Sequence, residues 1–170
     1  ITQDIILTNS ATMTVTAGTS LLMSEGVSIK GERKCHIILQ GSALSKVIVK
    51  SALPQTYWGQ LIVSGDSSSI EITHADIMSG QTYAMDSSTL LITDSYLHDY
   101  LKLPTKNLIY THNARYFHMN RCHISNYYQV NPFNTALLIE NSLFDYINED
   151  GIDCDNSPSA IIRNCTFRNG

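Results

Sequence analysis

Five carboxylates crowd one short stretch of the chain: Asp145, Glu149, Asp150, Asp153 and Asp155. If Ile152 and Cys154 face a core, strand alternation turns Asp153 and Asp155 to the opposite side, about 7 Å apart. Two carboxylates on one face can do acid and base work on a polysaccharide. The looser set Glu149, Asp150, Asp153 and Asp155 offers the flexible oxygen ligands that Ca²⁺ takes. A solvated acidic turn is the bland alternative. Arg163 and Arg168 fall on the next strand segment, and Lys102 and Lys106 in a remote loop, so no basic side chain is an obvious proton-abstracting partner. A catalytic role for Asp153 and Asp155 is therefore the second reading, behind a non-catalytic one.

Tyrosines form the other concentration of chemistry, with Tyr96, Tyr100, Tyr110, Tyr116, Tyr127, Tyr128 and Tyr146 in the middle of the chain. A phenol ring has an apolar face and a polar tip and can stack on a sugar ring. Tyr110, Tyr127 and Tyr128, together with His112, are the candidate ligand-binding residues. The same rings could instead close a core at its corner. The six histidines share no single column, and His118 and His123 read as solvated outward positions.

Whatever these residues do, a repeat must position them. The segments 69–77, 89–97, 116–124, 136–144 and 160–167 share one pattern: apolar, any, apolar, two polar, small, any, apolar. It aligns Ile72, Ile92, Met119, Ile139 and Ile162 in one column, and Ile77, Leu97, Ile124, Phe144 and Phe167 in another. A small-residue column lies between them: Ala75, Ser95, Cys122, Ser142 and Cys165. The residue before each of these, His74, Asp94, Arg121, Asn141 or Asn164, reads as a bend, because Asn and Asp tolerate unusual backbone angles. Short strands joined by such bends stack as rungs about 4.8 Å apart, each covering the open edge of the last. An antiparallel sandwich or a leucine-rich repeat would not demand this signature at unequal spacings. Alternation also turns Glu71, Leu91, His118, Leu138 and Ile161 outward, which predicts an apolar lateral strip to be covered by a loop such as 98–107, by a segment beyond this sequence or by another subunit.

The first 65 residues are less regular, but 14–31 (TVTAGTSLLMSEGVSIKG), 36–52 (HIILQGSALSKVIVKSA) and 57–65 (YWGQLIVSG) follow a recognisable order. With the closing stretch DGIDCDNSPSAIIRNCTFRNG, they make the chain resemble the pectate-lyase-like superfamily of right-handed parallel β-helices found in bacterial secreted and surface proteins. The resemblance implies an all-β, single-stranded right-handed parallel β-helix of about seven rungs. It further implies one continuous domain, with irregular rungs over 1–65 and regular ones over 66–170, cut from a longer chain. It makes Trp58 a wedge at the start of the regular stack. The Gly-His-Gly and Arg-x-Lys segments of polygalacturonase-like members are missing, which favours a non-catalytic module over a lyase or hydrolase.

Composition sets the remaining bounds. A formal charge of −4 with scattered Lys and Arg argues against nucleic-acid binding. No apolar run is long enough for a membrane-spanning helix. The four cysteines show no zinc-type spacing. Cys122 and Cys165 share a column two rungs apart, about 10 Å and beyond disulfide reach, so they and Cys154 should be free. The expected setting is extracellular or cell-surface, with a polysaccharide or another protein subunit as partner.

Overall fold

The computed structural model describes residues 1–99 and 107–169. The strands come in triplets, one triplet per turn. Turn 1 holds β1 (Ile5–Leu7), β2 (Thr12–Thr16) and β3 (Ser20–Met23); turn 2 holds β4 (Ile29–Gly31), β5 (His36–Gln40) and β6 (Val47–Ser51). Turn 3 holds β7 (Gln60–Ser64), β8 (Ser69–Thr73) and β9 (Ala75–Met78); turn 4 holds β10 (Gln81–Met85), β11 (Thr89–Thr93) and β12 (Tyr96–His98). Turn 5 holds β13 (Ile109–His112), β14 (Tyr116–Asn120) and β15 (His123–Tyr127); turn 6 holds β16 (Val130–Phe133), β17 (Leu137–Glu140) and β18 (Leu143–Ile147). Turn 7 ends the described chain with β19 (Ala160–Arg163) and β20 (Thr166–Arg168), and an isolated parallel bridge from Ile152 to Val130 supplies its first side.

Equivalent strands of successive turns pair in parallel, giving three sheets: β1 to β16 by threes, β2 to β19, and β3 to β20. The chain is an all-β parallel solenoid of about seven turns, and residues 1–65 follow the same three-sided plan as the rest. Both anticipated columns lie in register: Ile72 beside Ile92, Ile92 beside Met119, Met119 beside Ile139 and Ile139 beside Ile162. Ile77, Leu97, Ile124, Phe144 and Phe167 do the same in the third sheet. Among the described residues no helix is long and apolar enough to cross a membrane.

In turns 3 to 7 the corner between second and third sheets turns on a single left-handed residue. His74, Asp94, Arg121, Asn141 and Asn164 have φ of 47°, 50°, 53°, 53° and 53°, so the bend is a stack of left-handed residues. Their side chains also join turns. Asn141 Nδ2 donates to Asn120 Oδ1 at 2.9 Å, and Asn164 Nδ2 to Asn141 Oδ1 at 3.2 Å. The small-residue column follows from this tight corner. Ser95 Oγ donates to the Thr93 carbonyl at 2.7 Å and accepts from the Ala75 amide at 3.0 Å. Ser142 repeats that arrangement with Glu140 and Cys122.

All four cysteines are free, with Cys35 and Cys122 buried and Cys154 and Cys165 half-buried. Burial pushes the Cys122 thiol up to about 12, which makes it chemically quiet. Trp58 is 2% exposed, donates its Nε1–H to the Met78 carbonyl at 2.8 Å and packs into the core at the position expected of a wedge. In the terminal turn the column residues have a neighbour on one side only. Ile162 is 42% exposed and Phe167 47%, whereas Ile139 and Phe144 one turn earlier are at 0%.

Candidate functional site

The outer side of the first sheet gathers most of the candidate residues. Register places Tyr83 beside Tyr110 and Tyr110 beside Asn131, with His112 beside Phe133 in the next outward column. The Val130–Ile152 bridge extends this face by one turn, and Asn131 Nδ2 donates to Asp153 Oδ2 at 2.8 Å. Ile152 and Cys154 pack against the core, so Asp153 and Asp155 project outward, as alternation requires. One column thus reads Tyr83, Tyr110, Asn131, Asp153, one residue per turn.

The rings form a continuous strip. Tyr83 and Tyr110 meet edge to face with centroids 5.3 Å apart. Tyr110 and His112 lie within 23° of parallel at 6.1 Å, and His112 and Phe133 within 10° at 5.2 Å. All four are partly exposed. At the far end, desolvation first and the Asp155 and Asp150 charges next hold the Asp153 carboxyl above the usual range. The Asn131 carbonyl Oδ1 is buried without a hydrogen-bond partner, an arrangement that costs about 1–3 kcal/mol.

Tyr127 belongs to the interior rather than to this surface. Asn126 adopts φ 51°, which breaks the alternation of β15 and turns Tyr127 inward, where it is fully buried beside Phe144. Its hydroxyl donates to the Gly151 carbonyl at 3.3 Å, so the ring closes the core at a corner and offers no platform to a ligand. Tyr128 lies outside the strip, and its hydrogen bond to Glu149 raises the phenol pKa. Glu149 and Asp150 are exposed. Among the described residues no three His, Cys, Asp or Glu side chains converge to hold a metal ion.

The sequence pattern did not draw attention to Tyr83, Asn131 or Phe133. A signal was present, since Tyr83 and Tyr110 are separated by the same interval as the core pair Ile92 and Met119. The strip of Leu138 and Ile161 is real: they pair in register, Leu138 half-buried and Ile161 51% exposed. Most of the loop expected to cover it, 100–106, lies outside the described residues, as do Lys102 and Lys106.

A second polar patch occupies the outer side of the third sheet. Tyr96 stacks with His98 at 4.0 Å and with His123 at 4.6 Å, and its hydroxyl is 2.8 Å from that of Ser125. His98 Nε2 is 2.9 Å from Asp76, and Asp145 accepts from Arg168 Nη2 and Asn169 Nδ2, both at 2.8 Å. Beside it a shallow groove of about 840 Å³ follows the corner, crossed by Arg121 bonded to both Asp94 oxygens at 2.7 Å. Acids and bases here are mostly spent on one another, as expected of a patch that staples turns together.

That stapling has a pH signature. The Arg168 guanidinium, opposed by burial, holds the Asp145 carboxyl below its ordinary 3.8. A depressed carboxyl favours the folded state above the unfolded pKa and loses that contribution as pH falls through the folded one. Melting temperature should therefore stay level down to about pH 5 and drop below about pH 4. Asp145→Asn should shallow the acid limb without abolishing it, because Asp94 and Glu140 are shifted the same way by Arg121 and Arg163. Thermal melts followed by circular dichroism from pH 7 to 2 check this; parallel acid limbs for variant and wild type would exclude an Asp145 contribution.

Comparison with protein-family models, with curated proteins and with solved structures yields no match, so the fold and the geometry of its faces carry the functional reading.

Proposed function

We propose that the chain is a non-catalytic extracellular module of a larger surface or secreted protein. It is a rigid β-helix scaffold of the pectate-lyase-like kind, and the outer side of its first sheet binds carbohydrate. One observation carries this reading: Tyr83, Tyr110, Asn131 and Asp153 stand in one column over four successive turns, with His112 and Phe133 beside them. Rings supply apolar area, and the amide and carboxylate supply hydrogen bonds, which is the composition of a sugar-binding surface. The apolar strip at Leu138 and Ile161 would take a neighbouring domain or subunit.

The raised carboxyl of Asp153 beside Asp155 favours a second reading, a polysaccharide lyase or hydrolase with an acid at Asp153 and Ca²⁺ held by the acidic turn. The test is to expose the chain to a polysaccharide panel with and without Ca²⁺, measuring retention and product release. Retention without release of new chain ends is the expected result. Release of chain ends that Asp153→Asn abolishes would replace it with the enzyme reading, and no retention of any polysaccharide would remove the binding module.

A further inference from the structure

We propose that the ligand of the first-sheet face is an uncharged pyranose chain lying parallel to the solenoid axis; this rests on the carbohydrate-binding reading above. Three features carry it. The first is direction: the strip runs across turns 4 to 7, perpendicular to the strands, with one outward side chain per turn in each column. Turns repeat at about 4.8 Å, a step similar to the advance of one sugar in an extended glycan, so successive sugars meet successive turns.

Charge is the second. From turn 4 to turn 7 the ionised groups in these outward columns, among the described residues, are the carboxylates of Asp153 and Asp155. The nearest described cation in the same column, Lys30 of turn 2, is tied to Asp4 at 2.6 Å. A uronate or sulfated chain would bring anions onto a face that offers carboxylates and π-clouds, both of which repel them. Hydroxyls of a neutral sugar, by contrast, can donate to Asp153 while C–H faces cover the rings.

The third is what the fold itself does not need. The Asp153 carboxyl is held above its usual range and the Asn131 carbonyl is left unpaired in a half-buried position. A donor arriving from a sugar hydroxyl would relieve the carboxylate, and a small rotation of the amide would let its oxygen share in the contact.

The test is binding of the intact 170-residue chain to neutral xylo-, gluco-, galacto- and mannooligosaccharides against polygalacturonate and a sulfated glycan, by calorimetry or NMR titration. Binding of at least one neutral series, stronger than any polyanion, and a tenfold or greater loss in Tyr110→Ala with a smaller loss in Tyr110→Phe, is the expected result. Unchanged far-ultraviolet circular dichroism and melting temperature in both variants certify that they fold; His112→Ala serves in their place if Tyr110→Ala does not. Tighter binding of the polyanion would overturn the neutral-ligand inference and leave the binding module standing. Neutral binding indifferent to Tyr110 and His112 would overturn the assignment of this face. No binding of any glycan would overturn both.

Discussion

Replacing Gly80 by alanine will cost the chain about 3 kcal/mol, because a single methyl cannot be added where the Trp58 indole lies. A Cβ built at Gly80 falls 2.0 Å from Trp58 Cε2 and 2.1 Å from Cζ2, and the ring has no free direction in which to retreat. It is 2% exposed and pinned by its hydrogen bond to Met78. Gly80 does not occupy the left-handed region, so alanine there would otherwise be tolerated or slightly favourable. For a chain of this length the loss corresponds to a melting temperature lower by roughly 6–12 °C. Trp58→Leu should itself destabilise, and in that background Gly80→Ala should cost less than about 1 kcal/mol, since the clash is gone. Equal costs in both backgrounds would show that the methyl collides with something other than the indole.

The second large effect is positional within one column. Ile139→Ala should cost about 2–5 kcal/mol, the usual range for emptying a buried aliphatic site. Ile139 is fully buried and is flanked on both sides, by Met119 and Ile162. Ile162→Ala removes the same atoms one turn later, yet that side chain is already 42% exposed and has a partner on one side. Its cost should fall below about 1.5 kcal/mol, in proportion to the smaller area withdrawn from water. Urea unfolding of the two variants measures the difference. Similar values would mean that the terminal turn is covered in solution, by self-association or otherwise.

The second and third sheets were legible in turns 3 to 7 because there the corner between them turns on a single left-handed residue, whereas in turns 1 and 2 it takes residues 17–19 and 41–46. The constant offset of turns 3 to 7 keeps Ile92, Asp94, Ser95 and Leu97 in the same relation as Ile139, Asn141, Ser142 and Phe144. The first sheet was hidden for the opposite reason. Two residues separate Met78 from Gln81, whereas ten separate His98 from Ile109, so no fixed interval leads a reader from one strand to the next. Without that interval Tyr110 and His112 could be singled out only by residue type, and their neighbours Tyr83 and Phe133 not at all. Tyr127 misled for a different reason. Alternation counted from Ile124 turns it outward, but the left-handed Asn126 resets the count, and a left-handed asparagine one residue before an aromatic cannot be told from an extended one by sequence alone. Asp153 and Asp155 were placed correctly because plain alternation holds there.

Within each of the three sheets the strand-to-strand hydrogen bonds run from one turn to the next, so tension applied along the solenoid axis would load them end-on and few at a time. Such a structure should peel and not shear. Each released turn, for example the 20 residues from Ile72 to Ile92 or the 27 from Ile92 to Met119, would lengthen the tether by about 60–90 Å at the reach of an extended chain. Held by its ends, the molecule would act as a ratcheted spacer that yields in turn-sized steps, giving up length before the aromatic strip on turns 4 to 7 is disturbed if the opposite end is the first to open.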